Sequence, residues 1–326
     1  MKQFTLPSIL FLLAHLSHAQ STSADLPSKR GLAFRGDDHE GDNNLILSDG
    51  SAVSWYYTWS LWPAPALGDA LVFVPLMHGL DDAKDDELPR RLNALPESST
   101  HLLTFNEPDG ETDTGGSSIS PEDAAEAYLE YIAPLRESAR GRDRTWRISH
   151  PVVTSSDRGL EWLRDFNASC YDISDDGCPA DFIAVHYYGP FAGLPGWVDT
   201  LRDFYADLAP SAPLWITEVA LPQASADETL AMLNETIAYL DDDDGVEAYA
   251  WFGAFRTDEA NEWTGDGVSF FNGEGELTDV GAQYLGGEEG GFEAGMAGED
   301  GDSAAQLLLP SSVLVAAGVL VAILMA

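Results

Sequence analysis

Two glutamates, Glu107 and Glu218, each come at the end of a short apolar run that is typical of a buried strand. The first ends the run HLLTFNE and the second ends LWITE. Hydrolysis of a glycosidic bond needs two carboxyl groups, because one protonates the leaving oxygen while the other attacks the anomeric carbon or activates a water. The two residues therefore indicate glycosidase chemistry, provided that the fold brings their side chains together.

Each glutamate also has a plainer interpretation. An Asn-Glu-Pro triplet occurs often by chance, and a glutamate that ends an apolar strand also fits a salt bridge or a helix cap. Pro108 restricts the residue before it, so it predicts an extended backbone at Glu107. In a loaded site, the negative charge of Glu218 is expected to raise the pKa of Glu107, which could then act as an acid.

Five further side chains are candidates for contact with a sugar. Asn106 could hydrogen-bond the 2-hydroxyl group, and His186 and Tyr188 could hold a hydroxyl group or position one of the glutamates. The alternative for the latter two is a hydrogen-bonded cluster at the rim of the fold. Trp59 and Trp251 lie near strand ends, where their indole rings could stack on glucose rings.

No catalytic metal and no cofactor are predicted. His78, His150 and His186 lie on different predicted strands and lack a metal-ligand spacing such as HExxH. The acidic loop at 109–113 could bind calcium, but a solvated loop is the simpler interpretation.

Eight short β-rich runs determine the expected architecture. Several are continuous apolar stretches such as LVFVPL and DFIAV, which is typical of parallel strands buried on both faces. Helical patterns separate the later runs, so the sequence predicts an α/β fold, a (β/α)₈ TIM barrel that forms a single catalytic domain over residues 31–285. The predicted strands are 31–34, 53–59, 70–76, 101–106, 147–153, 182–187, 214–219 and 248–252.

The two glutamates end the fourth and seventh predicted strands, and the active sites of such barrels lie at the C-terminal ends of the strands. Helix starts are marked by Ser120, which precedes a proline and two acidic residues, and by Ser225 with Glu228 three residues later. Little helical pattern is found between the first two strands.

Both ends of the chain carry targeting patterns. Residues 1–19 have the basic start, apolar run and small residues of a secretory signal peptide, and 20–30 form a short pro or linker segment. Residues 286–303 are glycine-rich and acidic, which predicts a flexible stalk. Residues 304–326 end in an apolar tail, which predicts a glycosylphosphatidylinositol (GPI) anchor signal, with an ordinary membrane helix as the alternative. We therefore expect a secreted protein that is anchored at the cell surface.

The secretory route bears on the cysteines and on two asparagines. Cys170 and Cys178 are the only cysteines, so an oxidising compartment favours a disulfide between them, with two free thiols as the alternative. Asn167 and Asn234 begin N-glycosylation sequons, which are weak signals because such triplets are common.

The charge of the chain limits its partners. Its 55 acidic and 16 basic residues give a formal net charge of −39. Nucleic acid and anionic lipid would be repelled, whereas a neutral polysaccharide would not. We expect a monomer that binds a polysaccharide and meets the membrane only through its lipid anchor.

Six segments together resemble the fungal alkali-sensitive-linkage-protein-like family of β-1,3-glucanases, which is glycoside hydrolase family 128 in the retaining clan A. They are VSWYYTW, FVPLMHG, TFNEPD, FIAVHYYG, LWITEVA and YAWFGAF, and the resemblance covers residues 31–285. The resemblance implies that Glu107 is the acid/base and Glu218 the nucleophile. His78 departs from the family pattern, which has an aromatic residue, usually Trp, at that strand end.

The resemblance implies a retaining endo-β-1,3-glucan hydrolase, with transglycosylation as a variant, that acts on a cell-wall β-glucan. One alternative is a non-catalytic β-glucan-binding protein of the cell wall that keeps the barrel. The other is a hydrolase of the same superfamily that acts on β-1,6-glucan or mannan.

Overall fold

Nine short strand segments, all paired in parallel, form the centre of the computed structural model, which describes residues 26–36, 39–137 and 144–299. The predicted signal peptide and anchor signal lie outside the described residues. The segments are β1 Arg30–Ala33, β2 Trp55–Tyr57, β3 Val72–Phe73, β4 Leu76–Met77, β5 His101–Asn106, β6 Arg147–Val152, β7 Ile183–Tyr188, β8 Leu214–Ala220 and β9 Val246–Trp251.

The nine segments make eight barrel strands, because β3 and β4 are two parts of one strand interrupted at Pro75, which has no N–H group to donate. One sheet runs in the order β3-β2-β1-β9-β8-β7 and the other in the order β4-β5-β6. Isolated parallel bridges, Ser149 to Phe182 and Val153 to Val185, join β6 to β7. The predicted (β/α)₈ barrel is confirmed.

Helices on the outside cover the strands. They are α1 Glu40–Ile46, α2 Leu80–Ala83, α3 Leu88–Asn93, α4 Pro121–Ala127, α5 Asp157–Ile173, α6 Leu194–Tyr205, α7 Ala226–Asp242, α8 Asp279–Leu285 and α9 Gly287–Gly290. The side chain of Ser120 accepts from the N–H of Asp123, and Ser225 forms a full capping box with Glu228, as predicted.

The expectation of little helix between the first two strands is wrong, because α1 occupies that connection. Its sequence, EGDNNLI, has no apolar periodicity. Asp42 is nevertheless buried, since its carboxylate accepts two hydrogen bonds of 2.7 and 2.8 Å from the guanidinium of Arg256. The helix is held by a partner more than two hundred residues away, which a local pattern cannot reveal.

The barrel interior is filled by large aromatic side chains together with smaller aliphatic ones. Trp55 and Trp215 pack with ring centroids 5.1 Å apart, and Phe182 lies 4.5 Å from Trp215. These fully buried rings form a layer below Tyr57. The interior is therefore a packed core, and chemistry is confined to its mouth.

Residues 286–299, which we call the C-terminal strap, pack against the body. Phe292 is only 3% exposed, and the N–H of Leu277 donates to the carbonyl of Met296 at 2.7 Å. A Cβ at Gly298 would lie 1.8 Å from the oxygen of Gly41, so glycine permits this close approach. The predicted flexible stalk is therefore wrong for these residues, while 300–303 lie outside the described part of the chain.

The segment predicted as a linker through residue 30 is also part of the fold at its end. Lys29 donates to the carbonyl oxygens of Leu240, Asp241 and Asp243, which lie at the C-terminal end of α7. Arg30 pairs with Asp241 at 2.9 Å. Lys29 and Arg30 therefore attach the start of β1 to the end of α7, beside the pairing of β1 with β9 that closes the barrel.

The predicted disulfide between Cys170 and Cys178 is confirmed, and it joins the end of α5 to the loop before β7. Asn167 is a wrong prediction for a glycan in the folded protein, because its side chain is buried in α5 and its amide donates to the carbonyl of Leu163. Asn234 is exposed on α7, so it stays a predicted glycosylation site.

Candidate active site

The two predicted glutamates meet at the C-terminal mouth of the barrel. Glu107 directly follows β5, the fourth barrel strand, and Glu218 lies within β8, the seventh. His186, in β7, stands between them because its strand lies between theirs in the barrel. The three side chains therefore converge although more than a hundred residues separate the glutamates.

His186 bridges the two carboxyl groups. Its Nδ1 forms a hydrogen bond of 2.7 Å with Glu107 Oε1, whereas its Nε2 lies 3.2 Å from Glu218 Oε1 in a contact that lacks hydrogen-bond geometry. The imidazole is only 1% exposed. One oxygen from each glutamate and a nitrogen of His186 all lie within 4.8 Å of one another. Two carboxyl groups and a buried imidazole thus form one ionisable unit.

The backbone at the mouth takes strained conformations. Glu107 has φ of 39°, Phe105 38° and Trp59 52°, values that residues with side chains rarely adopt. The expectation of an extended Glu107 is therefore wrong. Its N–H donates to the carbonyl of Val152 while its own carbonyl accepts from Gly110, so the chain must turn sharply at this residue. Such strain is typical of functional sites, where surrounding contacts hold it in place.

Three donors hold Glu218, which is 5% exposed. Trp59 Nε1 donates to Oε1 at 2.8 Å, and Tyr57 Oη donates to the same oxygen at 3.0 Å. Tyr188 Oη donates to Oε2. Both oxygens of Glu218 are therefore fixed in orientation.

Burial and the charge of Glu218 raise the pKa of Tyr57 and of Tyr188 well above the usual value of a phenol. Both hydroxyl groups therefore keep their protons and stay donors. Sequence reasoning missed Tyr57, which lies inside the run VSWYYTW, because alternation along a strand does not show which tyrosine faces the mouth.

The contacts of the two carboxyl groups and the imidazole favour a proton on His186 over a proton on Glu107. Burial raises the pKa of Glu107, but the hydrogen bond and charge of His186 outweigh it and lower that pKa. Burial lowers the pKa of His186, but the charge of Glu218 and the hydrogen bond with Glu107 outweigh it and raise that pKa. The sequence predicts a raised pKa of Glu107 for a site that holds a sugar. In the site without a sugar, the imidazole of His186 lies between the two carboxyl groups and lowers the pKa of Glu107.

Asn106 and His78 share a contact beside the glutamates. Asn106 is 4% exposed, and its amide donates to the carbonyl of Gly115 at 3.1 Å. The other amide atom, Oδ1, is buried with no hydrogen-bond partner among the described residues. The Nε2 of His78, which stands where an aromatic residue was expected, lies 3.2 Å from the same carbonyl.

Trp251 is a wrong prediction for sugar contact. Its ring is fully buried, and its Nε1 donates to the carbonyl of Val268 at 3.0 Å. The next residue, Phe252, is partly exposed and packs against Trp59 and Tyr188 with ring centroids 5.9 Å away from each. Successive side chains of a strand point to opposite faces, so an error of one residue selects the wrong ring.

The calcium interpretation of the acidic loop is not supported at Asp109. Its side chain is fully buried and accepts from Thr154 at both the N–H, 3.1 Å away, and the hydroxyl, 2.5 Å away. Arg158 lies 3.3 Å from the same carboxylate. Asp109 thus ties the loop after β5 to the loop after β6.

Glu107, His186 and Glu218 could together offer three ligand atoms to a cation. The two nitrogens of His186 already face the carboxylates, which fits a proton shared within the unit. The absence of a catalytic metal stays a prediction, and full activity after dialysis against EDTA is its test.

A parallel (β/α)₈ barrel with two carboxyl groups close together at its mouth has the arrangement that glycoside hydrolases use. The chain belongs to the family described as the glycosyl hydrolase catalytic core, whose model matches residues 31–284. It is 27% identical over 269 residues to alkali-sensitive linkage protein 1 of Schizosaccharomyces pombe. That alignment covers 80% of this chain but 45% of the relative, so this chain spans less than half the length of that protein.

Solved structures of glycoside hydrolase family 128 are similar to this fold. An endo-β-1,3-glucanase of subgroup IV from Lentinula edodes is 25% identical, with a TM-score of 0.62 over 78% of this chain and 97% of that one. A curdlan-specific exo-β-1,3-glucanase of subgroup III from Blastomyces gilchristii is 27% identical, with 0.59 over 79% and 97%. An oligosaccharide-binding protein of subgroup VII from Trichoderma gamsii, 21% identical, shares the fold with 0.59 over 82% and 96%. The resemblance to family 128 is confirmed.

Proposed function

We propose that this protein is a retaining endo-β-1,3-glucan hydrolase in which Glu218 is the nucleophile and Glu107 the acid/base. The observation that carries the proposal is the approach of the two carboxyl groups, with one oxygen of each within 4.8 Å. Retaining enzymes have carboxyl groups about 5–5.5 Å apart, whereas inverting enzymes leave about 6.5–9.5 Å for a water. The short separation favours direct attack on the sugar.

The reaction has two steps. Glu218 attacks the anomeric carbon of one glucose unit while Glu107 gives its proton to the departing glucan oxygen, and a glycosyl ester forms on Glu218. Glu107 then takes a proton from water, which attacks the same carbon and frees Glu218. If a second glucan chain replaces the water, the outcome is transglycosylation.

His186 supplies the proton of the first step. The imidazole holds it in the resting site, 2.7 Å from Glu107. When Glu218 becomes an ester, its negative charge disappears, and with it the main stabilisation of the imidazolium. The proton therefore passes through Glu107 to the leaving oxygen, and the proton taken from water returns by the same path.

The choice of β-1,3-glucan rests on relatives. Both structures named above that are at least 25% identical are β-1,3-glucanases by name, one endo-acting and one exo-acting. The net charge of −39 is compatible with a neutral polymer and not with an acidic one. The test is incubation of the purified protein with laminarin, pustulan and mannan, followed by analysis of the products over time. A mixture of oligosaccharides from laminarin supports endo action; glucose alone contradicts it.

A binding protein without turnover would release no sugar from the three polymers. It would still migrate more slowly through a native gel that contains the polymer to which it binds. Cleavage of pustulan or mannan in preference to laminarin would instead assign the enzyme to another substrate. These outcomes separate the alternatives that the sequence leaves open.

The roles of the glutamates have their own test, with azide as a small nucleophile. In Glu107→Ala, an activated aryl β-glucoside needs little protonation, so the ester forms on Glu218 and azide releases it as a β-glycosyl azide. Glu218→Ala should lose turnover of every substrate. If Glu218→Ala, rather than Glu107→Ala, gives the β-azide, the assigned roles are reversed.

A further inference from the structure

An exposed tryptophan lies close to the proposed nucleophile Glu218. It is carried by the turn 261–265, in the loop after β9. The side chain of Trp263 is 57% exposed. Its ring meets that of Tyr188 edge to face, with centroids 4.5 Å apart and planes at 70°. Tyr188 in turn donates to Glu218. The indole is therefore one aromatic contact away from the proposed nucleophile.

The turn that carries Trp263 is held from within. Asn261 Oδ1 accepts three hydrogen bonds, from the N–H of Trp263 at 3.0 Å, the N–H of Thr264 at 2.8 Å and the hydroxyl of Thr264 at 3.0 Å. The N–H of Gly265 also donates to the carbonyl of Asn261. The backbone under the indole is thus fixed by its own side chains.

The same turn is also held from the neighbouring loop after β8. Gln223 Nε2 donates to the carbonyls of Glu262 at 2.6 Å and Trp263 at 2.9 Å, and its N–H donates to the carbonyl of Thr264 at 2.9 Å. Gln223 has φ of 59°, a strained value for a residue with a side chain. Strain of this kind persists only where the surrounding contacts require it.

Rigid support of an exposed indole has no evident value for stability, because most of the ring gains nothing from burial. A flat apolar surface held beside a glycosidase site does match one kind of ligand. The C–H groups on the face of a glucose ring are apolar, whereas its hydroxyl groups point outward from the ring edge. Aromatic side chains held rigidly lose little conformational entropy on binding, which makes them efficient anchors.

We propose that Trp263 is the platform of a glucosyl subsite that binds a non-reacting glucose unit of the glucan, next to the unit attacked by Glu218. Gln223 is the positioning residue that holds this platform. The inference rests on the proposed function for the identity of the polymer, while the subsite itself rests on the geometry of the turn.

The test measures binding rather than turnover, so that it does not depend on catalysis. Glu107→Gln serves as the inactive background, and laminarihexaose and laminaribiose are titrated by calorimetry. Adding Trp263→Ala should weaken binding of the hexaose about tenfold, equivalent to about 1.4 kcal/mol. Binding of laminaribiose should change much less, because this disaccharide can occupy the attacked position and the neighbouring position on the side away from Trp263.

Trp62→Ala is the matched control, since Trp62 is also 57% exposed but its ring packs under the guanidinium of Arg91 at 5.0 Å. It should leave both affinities unchanged. Trp263→Phe should keep most of the affinity, and Gln223→Ala should weaken hexaose binding severalfold while changing laminaribiose binding much less.

Unchanged hexaose affinity in Trp263→Ala overturns the subsite, and so does an equal loss in Trp62→Ala. Absence of any binding to the inactive background overturns it as well. A different result would contradict the proposed function and leave the subsite in place. In that case, the protein with Glu107 intact would bind the hexaose, Trp263→Ala would weaken that binding, and the hexaose would not be cleaved.

Discussion

Among the individual residues of the site, His186 has contacts that no other side chain duplicates. It faces Glu107 with one nitrogen and Glu218 with the other, and it is nearly inaccessible to solvent. Its position was predictable as a strand-end polar residue, but its link to both glutamates was not, since that depends on how three strands converge.

Replacing His186 by Gln should move the alkaline limb of the pH profile of kcat/KM to lower pH. In the natural protein, the proton that Glu107, His186 and Glu218 share is lost from the imidazole of His186, whose pKa is raised above 6.5. In His186→Gln it must leave the carboxyl group of Glu107, whose usual pKa is 4.5. Activity at pH 7 should fall about 100-fold, as expected when a general acid is mostly deprotonated.

Tyr188→Phe is the control for this prediction. It removes a hydrogen bond to Glu218 but leaves His186 in place, so it should lower the rate without moving the alkaline limb. An unchanged limb in His186→Gln would show that the imidazole does not carry the proton.

The prediction of Trp251 where Phe252 faces the mouth shows how prediction of individual residues fails. The strand itself was correctly located, and an aromatic residue does face the mouth at its end. Which of two adjacent aromatic residues faces it depends on the register of β9 in the closed barrel, and the bulges in its pairing with β8 are not visible in the sequence.

Among the elements, strands were predicted best. The predicted fourth strand has the same bounds as β5, because a parallel strand buried on both faces is a continuous apolar run bounded by polar residues. Helices with strong caps, α4 and α7, were also predicted. The helix α1 and the C-terminal strap were missed, since polar and glycine-rich segments are ordered here by distant partners.

The strand β6 carries a buried histidine that should make stability depend on pH. His150 is fully buried between the hydroxyl of Tyr205 at 3.1 Å and the carbonyl of Cys178 at 2.7 Å. Burial lowers the pKa of His150 to about 4. The unfolded chain, with a pKa near 6.5, then binds more protons than the folded one between these values, so stability falls as pH falls.

The expected loss from this group is about 3 kcal/mol between pH 7 and pH 4, since a difference of one in pKa corresponds to about 1.4 kcal/mol. Urea unfolding at several pH values measures it. His150→Gln should be less stable at pH 7 but should lose less stability on acidification than the natural protein. Parallel curves for the two proteins would exclude His150 as the cause.

The C-terminal strap should contribute to stability although its composition suggests a linker. Phe292→Ala removes a buried ring and should lower the free energy of unfolding by about 3–5 kcal/mol. Glu293→Ala, at an exposed position of the same segment, is the control and should change it little. Equal unfolding midpoints for the two variants and the natural chain would mean that the strap is not part of the cooperative fold.

For the whole molecule, the proposed cellular destination is based on the sequence patterns at the two ends of the chain. We propose that the protein is secreted, glycosylated at Asn234 and attached to the cell surface by a lipid anchor. Within the described residues, no helix is sufficiently long and apolar to cross a bilayer. The proposal therefore rests on the sequence of the two ends.

Deleting residues 304–326 should release an active, soluble enzyme into the medium, because the apolar tail would carry the anchor signal. The measurement is glucanase activity in medium and membrane fractions. Phosphatidylinositol-specific phospholipase C should release from the membrane the protein that is made from the undeleted chain. If the phospholipase releases a known GPI-anchored control but not this protein, the anchor proposal is wrong.

The C-terminal strap has a mechanical consequence for a protein held by that end. A pulling force would reach the bond between the carbonyl of Glu299 and Asn44 first, then the contact of Gly298, then the pairing of Met296 with Leu277. These contacts lie in series along the chain, so they would open one at a time, as in peeling. The strands at the mouth would bear tension only after Phe292 had left its pocket, and the strap would yield before the site did.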